Sequence, residues 1–282
     1  MQQISSASAM QRLALDARRS GKYIGVVPTM GYLHDGHASL IREARSQSDL
    51  VITTIFVNPL QFAPNEDFSR YPRDLERDTL LAEEAGCDVL FTPTPEEMYP
   101  PGFDATISIG GVTAPFEGVF RPTHYDGVAT VVAKLLTLTQ ADKAFFGQKD
   151  YQQCMVVRKL VRDLSMPHEI IVCPTRREAD GLAMSSRNVY LSPENRTKAT
   201  VLHKALQAAQ TLIRTGERRR ARIEALLSET IMAESGFTID YAAAADSATL
   251  EQPSEAFAPE QGIVLLLAVR LGGTRLIDNL VV

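Results

Sequence analysis

Cysteine is scarce in this chain of 282 residues: Cys87, Cys154 and Cys173 are odd in number, far apart and set in apolar segments. That pattern excludes a disulfide framework and leaves buried free thiols of a reducing compartment. Positive charge is also short. Against 34 Asp and Glu stand 29 Lys and Arg, a net charge of −5, which argues against a general nucleic-acid binder, since such proteins need a cationic face. The one basic cluster, Arg214 with Arg218, Arg219, Arg220 and Arg222, reads as a solvated helix start. Long apolar runs are missing too. The longest late one, Ile263 to Val269, is too short to span a bilayer, and Met1 to Met10 lack the charged and apolar regions of a secretory leader. The expectation is a soluble cytoplasmic protein with no membrane partner. Internal repeats are absent, and the only low-complexity tract is the alanines around 242 to 245.

What is present suits a globular enzyme. With 45% hydrophobic and 22% charged residues, the chain can bury a real core, and its length is comfortable for two domains. Apolar positions at helical spacing over residues 4 to 20, with serines ahead and Gly21 behind, predict a first helix before a strand at Tyr23 to Val27. The run from Asp49 to Val57 is continuously β-branched, the mark of a strand covered on both faces and hence of a parallel sheet. Strand and helix then alternate: helix Asp74 to Ala85, strand Asp88 to Thr92, short strand Thr106 to Ile109, helix Gly127 to Leu138, strand Ala144 to Phe146, a helix opened by Lys149, and strand Ile170 to Cys173. This predicts an α/β fold with a doubly wound parallel sheet over residues 1–175. After Pro174 come long helical stretches, Pro193 to Arg214 and Arg219 to Ser235, then strands Thr238 to Ala243 and Gly262 to Leu271. A smaller α+β domain is expected over residues 176–282.

Chemistry concentrates where predicted strands end. After the first strand, Pro28-Thr29-Met30-Gly31-Tyr32-Leu33-His34-Asp35-Gly36-His37 forms a glycine-punctuated turn opening a helix, the place where open α/β sheets bind phosphates. His34 and His37 lie at its mouth, where an imidazole can donate to a phosphate oxygen. Spacing alone serves phosphate contact and ordinary turn residues equally, and a zinc site would need further ligands that no second HxxH or CxxC supplies. Phe146-Gly147-Gln148-Lys149-Asp150 offers a glycine for close approach, a point charge for phosphate and an acceptor for ribose hydroxyls, or a plain capped turn. Asp180 to Asn188 carries Ser185, Ser186 and Arg187 in a row, a phosphate grip or a capped turn. Gln61 follows a central strand, and Gln153, four residues past Lys149, is expected on the same helix face; neutral amides suit a polyhydroxy acid. Asp78 is the carboxylate considered for magnesium.

Together these segments resemble the pantoate:beta-alanine ligase family. The resemblance rests on Pro28 to Gly31 with His34 to His37, Phe56 to Phe62, Tyr71-Pro72-Arg73, Glu117-Gly118 with Arg121-Pro122, Phe146 to Gln153, and Asp180 to Asn188, in order along essentially the whole chain to Leu276-Ile277-Asp278-Asn279. The histidine turn is this family's form of the HIGH signature of nucleotidylyltransferases and class I aminoacyl-tRNA synthetases, with Met184 to Arg187 in the place of their KMSKS loop. The resemblance implies a Rossmann-like fold in which ATP and (R)-pantoate form pantoyl adenylate and beta-alanine displaces AMP, with Mg2+ assisting. It implies an ATP site of Met30, Gly31, His34, Gly36, His37, Gly147, Gln148, Lys149, Asp150, Arg176, Met184, Ser185, Ser186 and Arg187. Within that set His37 is the proton donor, and His34, Lys149 and Arg187 act on the phosphates. Gln61 and Gln153 would hold pantoate, the smaller domain would act as a lid, and the assembly would be a homodimer. Arg176 departs from the family pattern, standing where a small apolar residue is usual beside the adenine. A nucleotidylyltransferase acting on another small acid or phosphate substrate is the alternative enzyme, and a nucleotide-binding regulatory module is the alternative outside catalysis. A tRNA-charging role is disfavoured by a short, acidic chain with no appended RNA-reading domain.

Overall fold

The computed structural model describes residues 1–64 and 66–282. Its larger sheet has six strands: β1 (Gln2–Ile4), β2 (Ile24–Thr29), β3 (Leu50–Ile55), β4 (Val89–Phe91), β5 (Lys143–Gly147) and β6 (Glu169–Cys173), in spatial order β1-β4-β3-β2-β5-β6. Every pairing is parallel. The helices of this part are α1 (Ala7–Arg19), α2 (Asp35–Gln47), α3 (Leu75–Glu84), the short α4 (Pro95–Met98) and α5 (Glu117–Phe120), α6 (His124–Thr139) and α7 (Tyr151–Asp163).

Alternation along the strands feeds two separate cores. Val26, Ile52, Phe91, Ala144 and Phe146 pack with Met10 and Ala14 of α1, much of α6, and Val156 and Leu160 of α7. Val27, Val51, Leu90 and Phe145, their immediate neighbours in sequence, pack with Leu40, Ile41 and Ala44 of α2 and Ala82 of α3. Strands with both faces buried need apolar side chains at every position, which is why the β-branched run was legible. Strand order reverses between β2 and β5, so the loops after these two strands leave the sheet at its topological switch point, where open α/β sheets hold ligands.

The remaining elements are α8 (Pro193–Lys198), α9 (Val201–Arg214), α10 (Arg220–Met232) and an antiparallel sheet of β7 (Phe237–Asp246), β8 (Ile263–Leu271) and β9 (Thr274–Val281). Their core joins Leu202, Leu206 and Ile213 of α9 and Ile223 and Leu227 of α10 to Leu265, Leu267 and Val269 of β8. The chain divides into two compact units. One is Met1–Gln148 with Gln153–Pro174; the other is Thr175–Val282 with the short segment Lys149–Gln152, which the sequence had assigned to the first.

Three expectations differ from the structure. Thr106 to Ile109 joins no ladder, because the Ile107 amide donates to Thr130 Oγ1 of α6 at 2.9 Å instead of to a strand. The stretch 193–214 is two helices. Thr197 Oγ1 donates back to the Pro193 carbonyl and Thr200 Oγ1 to that of Thr197, so hydroxyls compete with the helical ladder at the break. Lys149 lies in a 3-10 turn, Gln148–Asp150, ahead of α7, so it does not share a helix face with Gln153. Among the described residues no helix is long and apolar enough to cross a membrane, and all three cysteines are buried free thiols.

Candidate active site

The histidine turn is built by reciprocal capping. His34 is the N-cap of α2: its Nδ1 accepts from the Gly36 amide at 3.1 Å, while His37 Nδ1 accepts from the His34 amide at 3.3 Å. The rings lie 4.1 Å apart, centroid to centroid. A neutral imidazole that accepts at Nδ1 carries its proton on Nε2, so both rings are donors through Nε2 at the positive end of a helix of 13 residues.

The turn itself is held from below. Gly31 adopts φ +83°, and a Cβ there would stand 2.9 Å from Ile55 Cγ2 and 3.0 Å from Asp78 Oδ2, so only glycine fits. Gly31 N–H donates to Thr29 Oγ1, which donates in turn to the Thr54 carbonyl at 2.6 Å. Asp78 corrects its expected use as a magnesium ligand. Its side chain reaches across from α3 with 1% of the residue exposed, and its two oxygens accept from the Tyr32 and Leu33 amides at 2.7 and 2.6 Å. Burial pushes this carboxyl above its ordinary range, against the two amides that pull it down. Fully enclosed and already engaged at both oxygens, it has no face for a hydrated cation; it fixes the turn instead. Among the described residues no three His, Cys, Asp or Glu side chains converge as a metal cage.

Gln61 ends the 3-10 turn Pro59–Gln61 after β3. Its Oε1 accepts from Asn58 Nδ2 and its Nε2 donates to Met30 Sδ, each at 3.1 Å, which brings Met30, the histidine turn and Gln61 into one cluster. Asn58 is fixed by Tyr99 Oη and the Gly127 carbonyl. The Gln61 carbonyl accepts from His124 Nδ1 at 2.9 Å and from Arg121, whose guanidinium also pairs with Glu66 at 2.5 Å. Burial, with the Arg121 charge beside it, pushes the His124 imidazole down to about 4, so the ring is neutral and Nδ1 carries the donated proton. Gly127 permits the close packing: a Cβ there would lie 2.3 Å from the Leu60 carbonyl oxygen and 2.6 Å from Gln61 N. These supports were missed as site residues. The Phe56 to Phe62 motif and the Arg121-Pro122 pair were their only signal, and nothing in the sequence marked His124.

Gly147 ends β5, and a Cβ there would meet nothing within 4 Å. Its side-chain space is open, which leaves room for a ligand to approach the backbone. Gln148 opens the 3-10 turn, and Gln153 is half-buried on the first turn of α7.

In the smaller unit, the Lys149 carbonyl accepts from Asn279 Nδ2 at 2.7 Å, and Tyr151 Oη donates to the Ser247 carbonyl. These two bonds tie 149–152 to β9 and to the residue that follows β7. Lys149 Nζ stands 4.0 Å from Asp150 Oδ1. Arg176 is exposed, with its carbonyl accepting from the Met184 amide at 3.0 Å. That bond closes a loop on Ser185, the N-cap of the 3-10 turn Ser186–Tyr190, where Ser185 Oγ accepts from the Arg187 amide. Ser186 is buried and Arg187 half-buried.

A family model described as Pantoate-beta-alanine ligase matches residues 2–281. The chain belongs to the pantoate-beta-alanine ligase family. Curated relatives of this ligase include pantothenate synthetases of Geobacter sulfurreducens, 53% identical over all of this chain and 98% of its own, and of Moorella thermoacetica, 52% identical with the same coverage. Among solved structures, pantothenate synthetase from Thermus thermophilus superposes with TM-score 0.91 at 46% identity, covering 99% of each chain. The pantoate-beta-alanine ligase of Francisella tularensis, complexed with beta-gamma ATP and beta-alanine, superposes with TM-score 0.80 at 33% identity, over 99% of this chain and 97% of its own.

Proposed function

We propose that this ligase joins (R)-pantoate to beta-alanine through a pantoyl adenylate, consuming ATP and releasing pyrophosphate and then AMP. The observation that carries the reading is the reciprocally capped pair His34 and His37, in which Nδ1 of each ring accepts a backbone amide and Nε2 is the donor nitrogen at the start of α2. A carboxylate attacking the α-phosphorus requires no covalent enzyme nucleophile; it requires position and neutralised charge. His34 and His37 donate to the triphosphate, His37 supplying the proton as in the family. Lys149, Ser185, Ser186 and Arg187 stabilise the charge that builds on departing pyrophosphate. Met30, Gly31 and Gly36 line the triphosphate; Gly147, Gln148, Asp150, Met184 and the Arg176 backbone serve the nucleoside. Gln61 and Gln153 orient pantoate. In the second half-reaction the beta-alanine amine attacks the acyl carbon, loses a proton and expels AMP. Magnesium, borne on the phosphates, would offset their charge, and no step is assigned to a protein-held ion. The smaller unit as a lid and the homodimer rest on the family resemblance, and the cytoplasmic setting on the scattered cysteines, which suit a reducing compartment; sedimentation equilibrium checks the dimer.

The test is pyrophosphate release from ATP and magnesium with pantoate alone, followed by AMP and pantothenate on adding beta-alanine. Pantoate-dependent pyrophosphate and amine-dependent AMP are expected. Pyrophosphate that needs neither acid nor amine would leave a nucleotidylyltransferase of other specificity. Lys149→Ala is expected to slow adenylation about 100-fold or more with the fold intact.

A further inference from the structure

One buried carboxylate indexes both phosphate-directed segments of the smaller unit. Asp278 of β9, 3% exposed, accepts a two-point pair from Arg177 at 2.7 and 2.9 Å. Arg177 passes that constraint on, donating to the Gly181 carbonyl at 3.0 Å inside the loop that closes on Ser185. It also reaches the Asn279 carbonyl at 3.3 Å. The same Asp278 carboxylate accepts from the Asn279 amide at 2.8 Å, and the Asn279 side chain, 2% exposed, donates to the Lys149 carbonyl. Lys149 follows a strand of the larger sheet in sequence, yet its peptide is bonded to β9. A two-point guanidinium–carboxylate pair whose carboxylate is buried and whose guanidinium side chain is 19% exposed is geometrically well defined, so the peptide of Lys149 and the Gly181 carbonyl are referred to one fixed point.

We infer that Asn279, seated by the Arg177–Asp278 pair, is a positioning residue for adenylation, holding Lys149 in register with the Ser185–Arg187 loop so that the two act as one phosphate-binding body. This rests on the role given above to Lys149. Asn279 touches no reacting atom; it acts by setting the peptide from which the lysine projects. Misplacing a charge by about 1 Å costs on the order of 100-fold in rate, whereas pantoate affinity, assigned to Gln61 and Gln153, is untouched.

Pantoate-dependent pyrophosphate release is measured for the wild type, Asn279→Ala, Lys149→Ala and the double variant, with thermal unfolding of each. Asn279→Ala is expected to lower the rate about 10- to 100-fold at unchanged KM for pantoate. In the Lys149→Ala background it is expected to add almost nothing, because residues acting through one group are not additive. A wild-type rate in Asn279→Ala, or its full loss repeated on top of Lys149→Ala, overturns the inference. Asn279→Asp, the same shape without the donor, is measured alongside; if neither Asn279 variant folds, the residue is purely structural and the inference fails. A wild type that releases no pantoate-dependent pyrophosphate overturns the functional reading instead, so the two failures are distinct.

Discussion

At the scale of single residues, the carboxylate of Asp78 separates two roles that sequence alone could not. An aspartate on a helix near a phosphate turn has the chemistry of a cation ligand, but its two short bonds to the Tyr32 and Leu33 amides make it an internal acceptor. Asp78→Asn places a donor against one of those N–H groups. The expected cost is about 1–3 kcal/mol of stability by urea titration, with activity reduced and its dependence on magnesium concentration unchanged; a raised magnesium requirement would restore the ligand reading. His34, His37, Met30 and Gln61 were legible because their motifs are dense in polar groups at strand ends, and the structure gathers these four in the larger unit. Asn58, Arg121 and His124 were not read as site supports, since their bonds to the Gln61 turn span 60 residues or more, or join groups whose partners no local pattern reveals.

Among elements, the docking of the Pro59–Gln61 turn on α6 depends on one missing methyl. Gly127→Ala would force Cβ into the Leu60 carbonyl, so turn and helix must separate by about 1 Å to regain ordinary contact. The expected result is a loss of about 1–3 kcal/mol and a several-fold higher KM for pantoate with a lesser change in KM for ATP, read from steady-state kinetics. Long elements were legible because their period is set by two-sided or one-sided burial, as in β3 and α3. Three-residue β1 carries too few residues to show a period, and β9 alternates with polar groups that serve the smaller unit rather than solvent, so neither was anticipated.

For the whole molecule, the cluster around His124 predicts how stability depends on pH. The ring is neutral when folded, held down to about 4 from an ordinary 6.5, while Arg121, Glu117 and Glu66 surround it. A depressed folded value means the unfolded chain binds the proton first, so this stabilisation is complete above about 6.5 and is lost as pH falls toward 4, amounting to about 3 kcal/mol. Glu66 pushes in the same direction further into acid: burial raises its carboxyl, but the Arg121 hydrogen bonds and charge outweigh that and hold it below its usual range. Urea midpoints are expected to drop steadily between pH 6.5 and 4.5, and His124→Gln to flatten that slope; an unchanged slope would show that the ring does not govern it.

The membership of Lys149–Gln152 in the smaller unit bears on how this enzyme could be recombined with its relatives. A chimera cut only between Pro174 and Thr175 would inherit its lysine peptide from one parent and the Asn279 amide that holds it from the other. Exchange therefore works in four segments rather than two: the foreign C-terminal part must bring its own four-residue insert, spliced between the end of β5 and the body of α7.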